Sequence, residues 1–187
     1  MKKLLTFLLF SALVFFGCNQ EGEITSPDNI GSSPQLKLIS LPAPTSELTV
    51  EDEYTEYMII NGGKGGVFSA GYSYQGTNGL VYQISILEFE VGSFYGTKTI
   101  SQTFSTTGAA MVFGPLMQFQ KEVKYTFKVS GLDLTGVNPN TLDFVYIDAS
   151  GNMYPVEYNY IGMDVISGTL KVAGAQLDHF SRYGFVN

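Results

Sequence analysis

Residues 122–129 alternate strictly: Val123, Tyr125, Phe127 and Val129 fall on one face, and Glu122, Lys124, Thr126 and Lys128 on the other. Successive side chains of a strand point to opposite faces, so this period of two predicts a half-buried antiparallel strand. From Tyr54 onward the chain keeps that character. It is rich in Tyr, Phe, Val, Ile and Thr, punctuated by Gly and Asn, and holds no amphipathic helical stretch of ten residues or more. Residues 80–91 predict a longer strand whose phase slips between Ile84/Ile86 and Leu87/Phe89/Val91, as a β-bulge would cause. Residues 142–147 are nearly all apolar and predict a central strand. Further strands are expected at 153–160, 168–172 and 182–186, with a hairpin turn at 148–152. Short strands joined by Gly-containing turns predict an all-β, antiparallel sandwich. About 130 residues suffice to bury roughly two-thirds of their unfolded surface in one core.

The N-terminus has a different composition. Lys2 and Lys3 precede the apolar run 4–16, which is shorter than the roughly 20 residues a bilayer-spanning helix needs but matches a secretory h-region. Gly17 and Cys18 follow, after Phe15 and Phe16. No pair of small residues in the A-x-A arrangement marks an ordinary cleavage site. The Gly17-Cys18 end resembles the lipobox of bacterial lipoproteins. That resemblance implies a signal peptide at 1–17, cleavage before Cys18, and acylation of Cys18 by diacylglyceryl and palmitate-type chains. Asn19 lies where some Gram-negative lipoproteins carry an inner-membrane aspartate, so the same resemblance implies an outer-membrane location in such a host. Cys18 is the only cysteine, so no internal disulfide competes for it. Several acyl chains, at about 0.8 kcal/mol per buried CH₂, would anchor the chain to a membrane without spanning it.

Residues 18–46 are expected to be a flexible tether: Pro27, Pro34, Pro42 and Pro44 are spaced by Ser, Asn, Gly and acidic residues. Within it, residues 35–41 could add an edge strand to the domain at 47–187. All seventeen acidic residues lie beyond Cys18, leaving nine net negative charges after the leader is removed. Such a surface disfavours nucleic acid and anionic headgroups as partners. The cluster Glu47, Glu51, Asp52, Glu53 and Glu56 reads as a solvated face, because calcium requires six to eight oxygens around one point.

Three passages carry a second resemblance: the glycine-rich residues 60–67, the Phe-Gly-Pro passage within 112–119, and His179-Phe180-Ser181-Arg182-Tyr183. In this order and spacing, over about 55–187, they are similar to the ZU-type β-sandwich of ankyrins, netrin receptors and zonula occludens proteins. The resemblance implies a binding or scaffolding module rather than an enzyme. It does not carry over spectrin contacts. Some relatives self-cleave within His-Phe-Ser. The corresponding roles here would make Ser181 the nucleophile on the Phe180 carbonyl and His179 its base. A hydrogen-bonded structural His179, with Phe180 and Tyr183 as core aromatics, is the simpler expectation.

Other chemistry has little to build on. One histidine and one committed cysteine cannot make a usual zinc site, and no cofactor motif is present. The run 61–66 lacks a Gly-Lys-Ser/Thr ending and reads as a flexible turn. A Ser-His-Asp triad would need a distant acid, because Asp178 and His179 should point to opposite faces of a strand. Glu88 and Glu90 on one strand face are expected to be solvated carboxylates rather than a glycosidase pair. The expected function is therefore non-enzymatic binding of a protein or glycan at a membrane surface. For a glycan, Tyr72, Tyr74 and Tyr82 are the candidate platform.

Overall fold

The computed structural model describes residues 36–45 and 53–187. Eleven strands run in order: β1 (Glu53–Asn61), β2 (Gly66–Gly76), β3 (Gly79–Phe89), β4 (Thr97–Ser105), β5 (Ala110–Gly114), β6 (Gln118–Ser130), β7 (Asp143–Ile147), β8 (Met153–Pro155), β9 (Tyr160–Asp164), β10 (Thr169–His179) and β11 (Arg182–Val186). They form a six-stranded sheet, β1-β4-β5-β11-β7-β8, and a five-stranded sheet, β2-β3-β6-β10-β9, with antiparallel pairing throughout. The described chain is an all-β sandwich. Its leader, Cys18, and the tether up to residue 35 lie outside the described residues, as do Glu47, Glu51 and Asp52.

The alternating residues 122–129 lie in the middle of their sheet as part of β6. Val123, Tyr125, Phe127 and Val129 are fully buried. Aromatic rings fill the space between the sheets. Phe113 stacks on Phe180 with centroids 5.5 Å apart, and Phe180 meets Phe119 edge to face at 4.8 Å. β11 is the 182–186 strand expected from sequence, and it pairs with both β5 and β7 in the interior of its sheet.

Three expectations need correction. β3 carries no bulge, since its register against β2 and β6 is continuous. Its inward face is Val81, Gln83, Ser85, Leu87 and Phe89, so the apparent phase slip comes from two buried polar residues. The Ser85 hydroxyl donates to Gln102 Oε1 across the sandwich and lies 3.1 Å from the Tyr125 hydroxyl. Gln102 Nε2 donates to the Phe68 carbonyl at 3.0 Å. The irregularities lie instead in β10, between Val172 and Ala175 and between Leu177 and His179. Second, the strand expected over 153–160 is two strands. The chain leaves the six-stranded sheet after Pro155 and joins the five-stranded sheet at Tyr160. Tyr158 fixes this crossing by donating to Asp143 Oδ1 at 2.9 Å.

Third, the described part of the expected tether belongs to the domain. Lys37 and Asn187 exchange backbone hydrogen bonds of 3.0 Å, and Leu38 bridges Val186. Ile39 and Leu41 are buried in the main core. Leu38 and Met153 cover a small second cluster of Val145, Ile147 and Val186 on the far face of β7 and β11. The edge strand considered for 35–41 is realised as isolated bridges at Leu38 and Ser40, followed by one at Pro44.

The glycine-rich 61–66 segment is a pinned turn rather than a loose one. Lys64 and Gly65 both donate to the Asn61 carbonyl, and Gly62 exchanges contacts with Gly92 and Gly96 through its backbone. A Cβ on Gly62 would lie 2.1 Å from the Phe94 carbonyl oxygen, so only glycine permits this approach.

Candidate functional site

β11 runs back from Arg182, beside His179, to Val186 and Asn187, where Lys37 joins it. The sandwich therefore has two distinguishable ends. One end holds Lys37, the Pro44–Gly76 bridge and the hydrogen bond from the Leu132 amide to the Gly168 carbonyl. The opposite end holds the His179 corner. On the flank of that second end, where the chain crosses between sheets after Pro155, a concavity of about 420 Å³ opens. Glu122, Tyr146, Tyr154, Glu157, Asp178 and His179 line it.

Each wall has a local cause. Tyr146 follows Phe144 at period two, so it faces inward at the end of the core. Tyr154 pairs directly with it across β7 and β8, and their rings stack with centroids 5.5 Å apart and an interplanar angle of 23°. Tyr154 is further held by the 148–152 turn. Asp148 accepts hydrogen bonds from the Ser150 and Asn152 amides at 2.8 Å, and from Asn152 Nδ2 and the Tyr154 hydroxyl. The bond from Asn152 holds the Asp148 carboxyl below the usual carboxylate range, and the resulting charge raises the Tyr154 phenol.

His179 comes from the opposite sheet. Between Leu177 and His179 the register against β6 jumps from Val123 to Gln118, which rotates the end of β10. The imidazole consequently meets Tyr146 edge to face at 4.6 Å and 88°. Its Nδ1–H donates to Asp178 Oδ1 at 2.5 Å. Sequence reasoning placed those neighbours on opposite faces; the irregular strand end overturns that inference. The Tyr183 hydroxyl donates to the His179 carbonyl at 2.8 Å, and burial, followed by the Asp178 and Tyr146 charges, pushes its ionisation well up.

The remaining candidates are dispersed. Phe180 is 1% exposed and packed among Phe89, Phe113 and Phe119, while its amide donates to the Met117 carbonyl at 2.9 Å. The Ser181 carbonyl accepts the Phe113 amide at 2.9 Å. Among the described residues no hydrogen bond joins His179 to Ser181; the imidazole bonds Asp178 through Nδ1. Tyr72, Tyr74 and Tyr82 do not share a platform. Tyr72 and Tyr74 face the core, with Tyr74 buried and donating to the Pro42 carbonyl at 2.9 Å, whereas Tyr82 faces outward. Glu88 is exposed; Glu90 lies beyond the strand and pairs with Lys124 at 3.3 Å. Glu53 is exposed on β1, and Glu56 accepts the Gly71 amide at 3.4 Å. No cluster of three His, Cys, Asp or Glu side chains able to hold a metal occurs among the described residues.

Tyr146, Tyr154, Glu122 and Glu157 escaped sequence reasoning. They come from β6, β7, β8 and the crossing segment, so no spacing along the chain groups them. What the fold and groove define is an antiparallel β-sandwich with an aromatic, acidic recess at one end. No protein-family model, curated protein or solved structure matches the chain.

Proposed function

We propose that this chain is the precursor of an exported lipoprotein, acylated at Cys18 and held at a membrane, whose sandwich is a non-enzymatic binding or structural module. The observation that carries this reading is the single cysteine, Cys18, directly behind Gly17 and the apolar run 4–16. The recess lies at the end of β11 opposite Asn187, whereas Lys37 joins beside Asn187. The Gly17-Cys18 leader and the nine net negative charges beyond it fit an envelope protein whose partner is neither nucleic acid nor anionic lipid. Asn19 favours the outer membrane if the host is Gram-negative, and the ZU-like motifs agree with a binding role. The test is metabolic labelling with a palmitate analogue. Wild type should carry label and sediment with membranes, and Cys18→Ala should lose both; an unlabelled wild type would remove the anchor.

A carbohydrate-binding surface is the second reading, favoured by the stacked Tyr146 and Tyr154 rings rather than by Tyr72, Tyr74 and Tyr82. Titration with neutral oligosaccharides, read at those two tyrosines, tests it.

A further inference from the structure

The recess has a composition that selects among partners. Glu122, Glu157 and Asp178 bring three carboxylates to its lining, and neither lysine nor arginine lines it. The lysines that share the neighbouring hollow with Glu122 are engaged elsewhere: Lys124 pairs with Glu90, and Lys121 donates to the Val91 carbonyl at 2.7 Å. Asp178 is bonded to His179, and the charges of Glu122 and Glu157 are left for a ligand to neutralise. The stacked Tyr146 and Tyr154 rings offer the π-face against which a cation, above all a guanidinium, is attracted.

A second concavity, of about 400 Å³, continues past Tyr146, Asp178 and His179, which line both. Its other walls are the apolar Leu116, Met117 and Phe180 with the polar Gln118 and Ser181, and Leu116 is 82% exposed. On the ridge between the two halves, His179 bonds Asp178 through Nδ1, and Nε2 is its remaining hydrogen-bonding nitrogen. An acidic aromatic half, a half with the exposed apolar Leu116, and an imidazole nitrogen between them match successive side chains and the backbone of an extended chain. A neutral glycan would neutralise none of the carboxylates and has no use for the apolar half.

We propose that this bipartite groove binds a peptide segment of a partner protein carrying a basic side chain, preferably arginine, next to an apolar one. The proposal rests on the binding-module reading and names its partner class. Arginine enters the Tyr146–Tyr154 half with its guanidinium against Glu157 and Asp178. The apolar side chain lies over Met117 and Leu116.

The test uses the full chain in detergent and fluorescence polarisation with four probes: labelled Gly-Arg-Leu-Gly, Gly-Gln-Leu-Gly, Gly-Arg-Ser-Gly and a neutral chitin oligosaccharide. The Arg-Leu peptide should bind in a salt-sensitive manner, and each single replacement should weaken it about tenfold or more. Tyr154→Ala and Asp178→Asn should each weaken it by about tenfold as well. Both positions are exposed enough for the variants to fold, which a thermal melt checks, and Ile166→Ser at the opposite end should bind like wild type. Equal affinity for the Gln peptide overturns the cation requirement, and unchanged binding by Tyr154→Ala moves the site away from this groove. Oligosaccharide binding lost in Tyr154→Ala overturns the peptide partner while sustaining a binding module. Absence of binding by all four probes overturns the proposal, and the Cys18 labelling result stands apart from every one of these outcomes.

Discussion

The rings of Tyr146 and His179 meet edge to face, centroids 4.6 Å apart and planes at 88°, one from each sheet of the sandwich. The contact closes the end of the core and at the same time forms the ridge of the groove. His179→Ala removes an aromatic pair of about 0.5–1.5 kcal/mol and should lower stability by that order without unfolding the domain. Denaturant melts measure it, and a loss several times larger would give His179 a deeper structural role than its partial exposure suggests.

The chain should stay whole at Phe180–Ser181. Phe180 is locked among three aromatic rings, and among the described residues no hydrogen bond joins His179 to Ser181. Intact mass under denaturing conditions should include residues 181–187, and Ser181→Ala should leave the cleavage state unchanged. Quantitative loss of that fragment, abolished by the same substitution, would reverse the assignment.

Gln102 joins the two sheets through Ser85 and the Phe68 carbonyl. Gln102→Leu strips partners from buried polar groups, and each such group costs about 1–3 kcal/mol. The variant should therefore be destabilised by at least that order in urea, despite the added apolar volume.

Truncating Leu41 to alanine should cost about 2–5 kcal/mol, the usual range for a buried leucine, because it lies in the main core although its sequence looks like a linker. A neutral effect in chemical denaturation would return residues 36–45 to the tether.

Alkaline pH should destabilise the fold. Burial raises the Tyr74 phenol from 10.0 to about 12 and drives Tyr183 up as well. The folded state keeps these protons while the unfolded chain releases them. Their contribution is therefore complete below pH 10 and is lost as pH climbs from about 10 through 12. Melting temperature followed from pH 9 to 12 should fall, and Tyr74→Phe should flatten part of that slope.

The strand at 122–129 could be read directly because its periodicity is local: each side chain's face follows from its neighbours. The same logic failed at Gln83 and Ser85. Ser85 is held inside by Gln102 and Gln83 by the Ser105 carbonyl, both on β4 of the opposite sheet, so polar residues on an inner face mimic a change of phase. It failed again at residues 153–160, where the pattern was that of strand throughout but the chain changes sheets. Neighbours on a regular strand point to opposite faces, and Asp178 and His179 depart from that rule because β10 ends irregularly.

Alternation, glycine turns and abundant Phe and Tyr dictate a sandwich, and the surplus of carboxylates makes its surface acidic. Where those carboxylates and rings converge is a product of the fold. The groove joins Glu122, Tyr146, Tyr154, Glu157 and His179 from both sheets and the crossing between them. Their proximity arises from sheet order and one irregular strand end, which are long-range contacts and leave no trace in the spacing of residues along the chain.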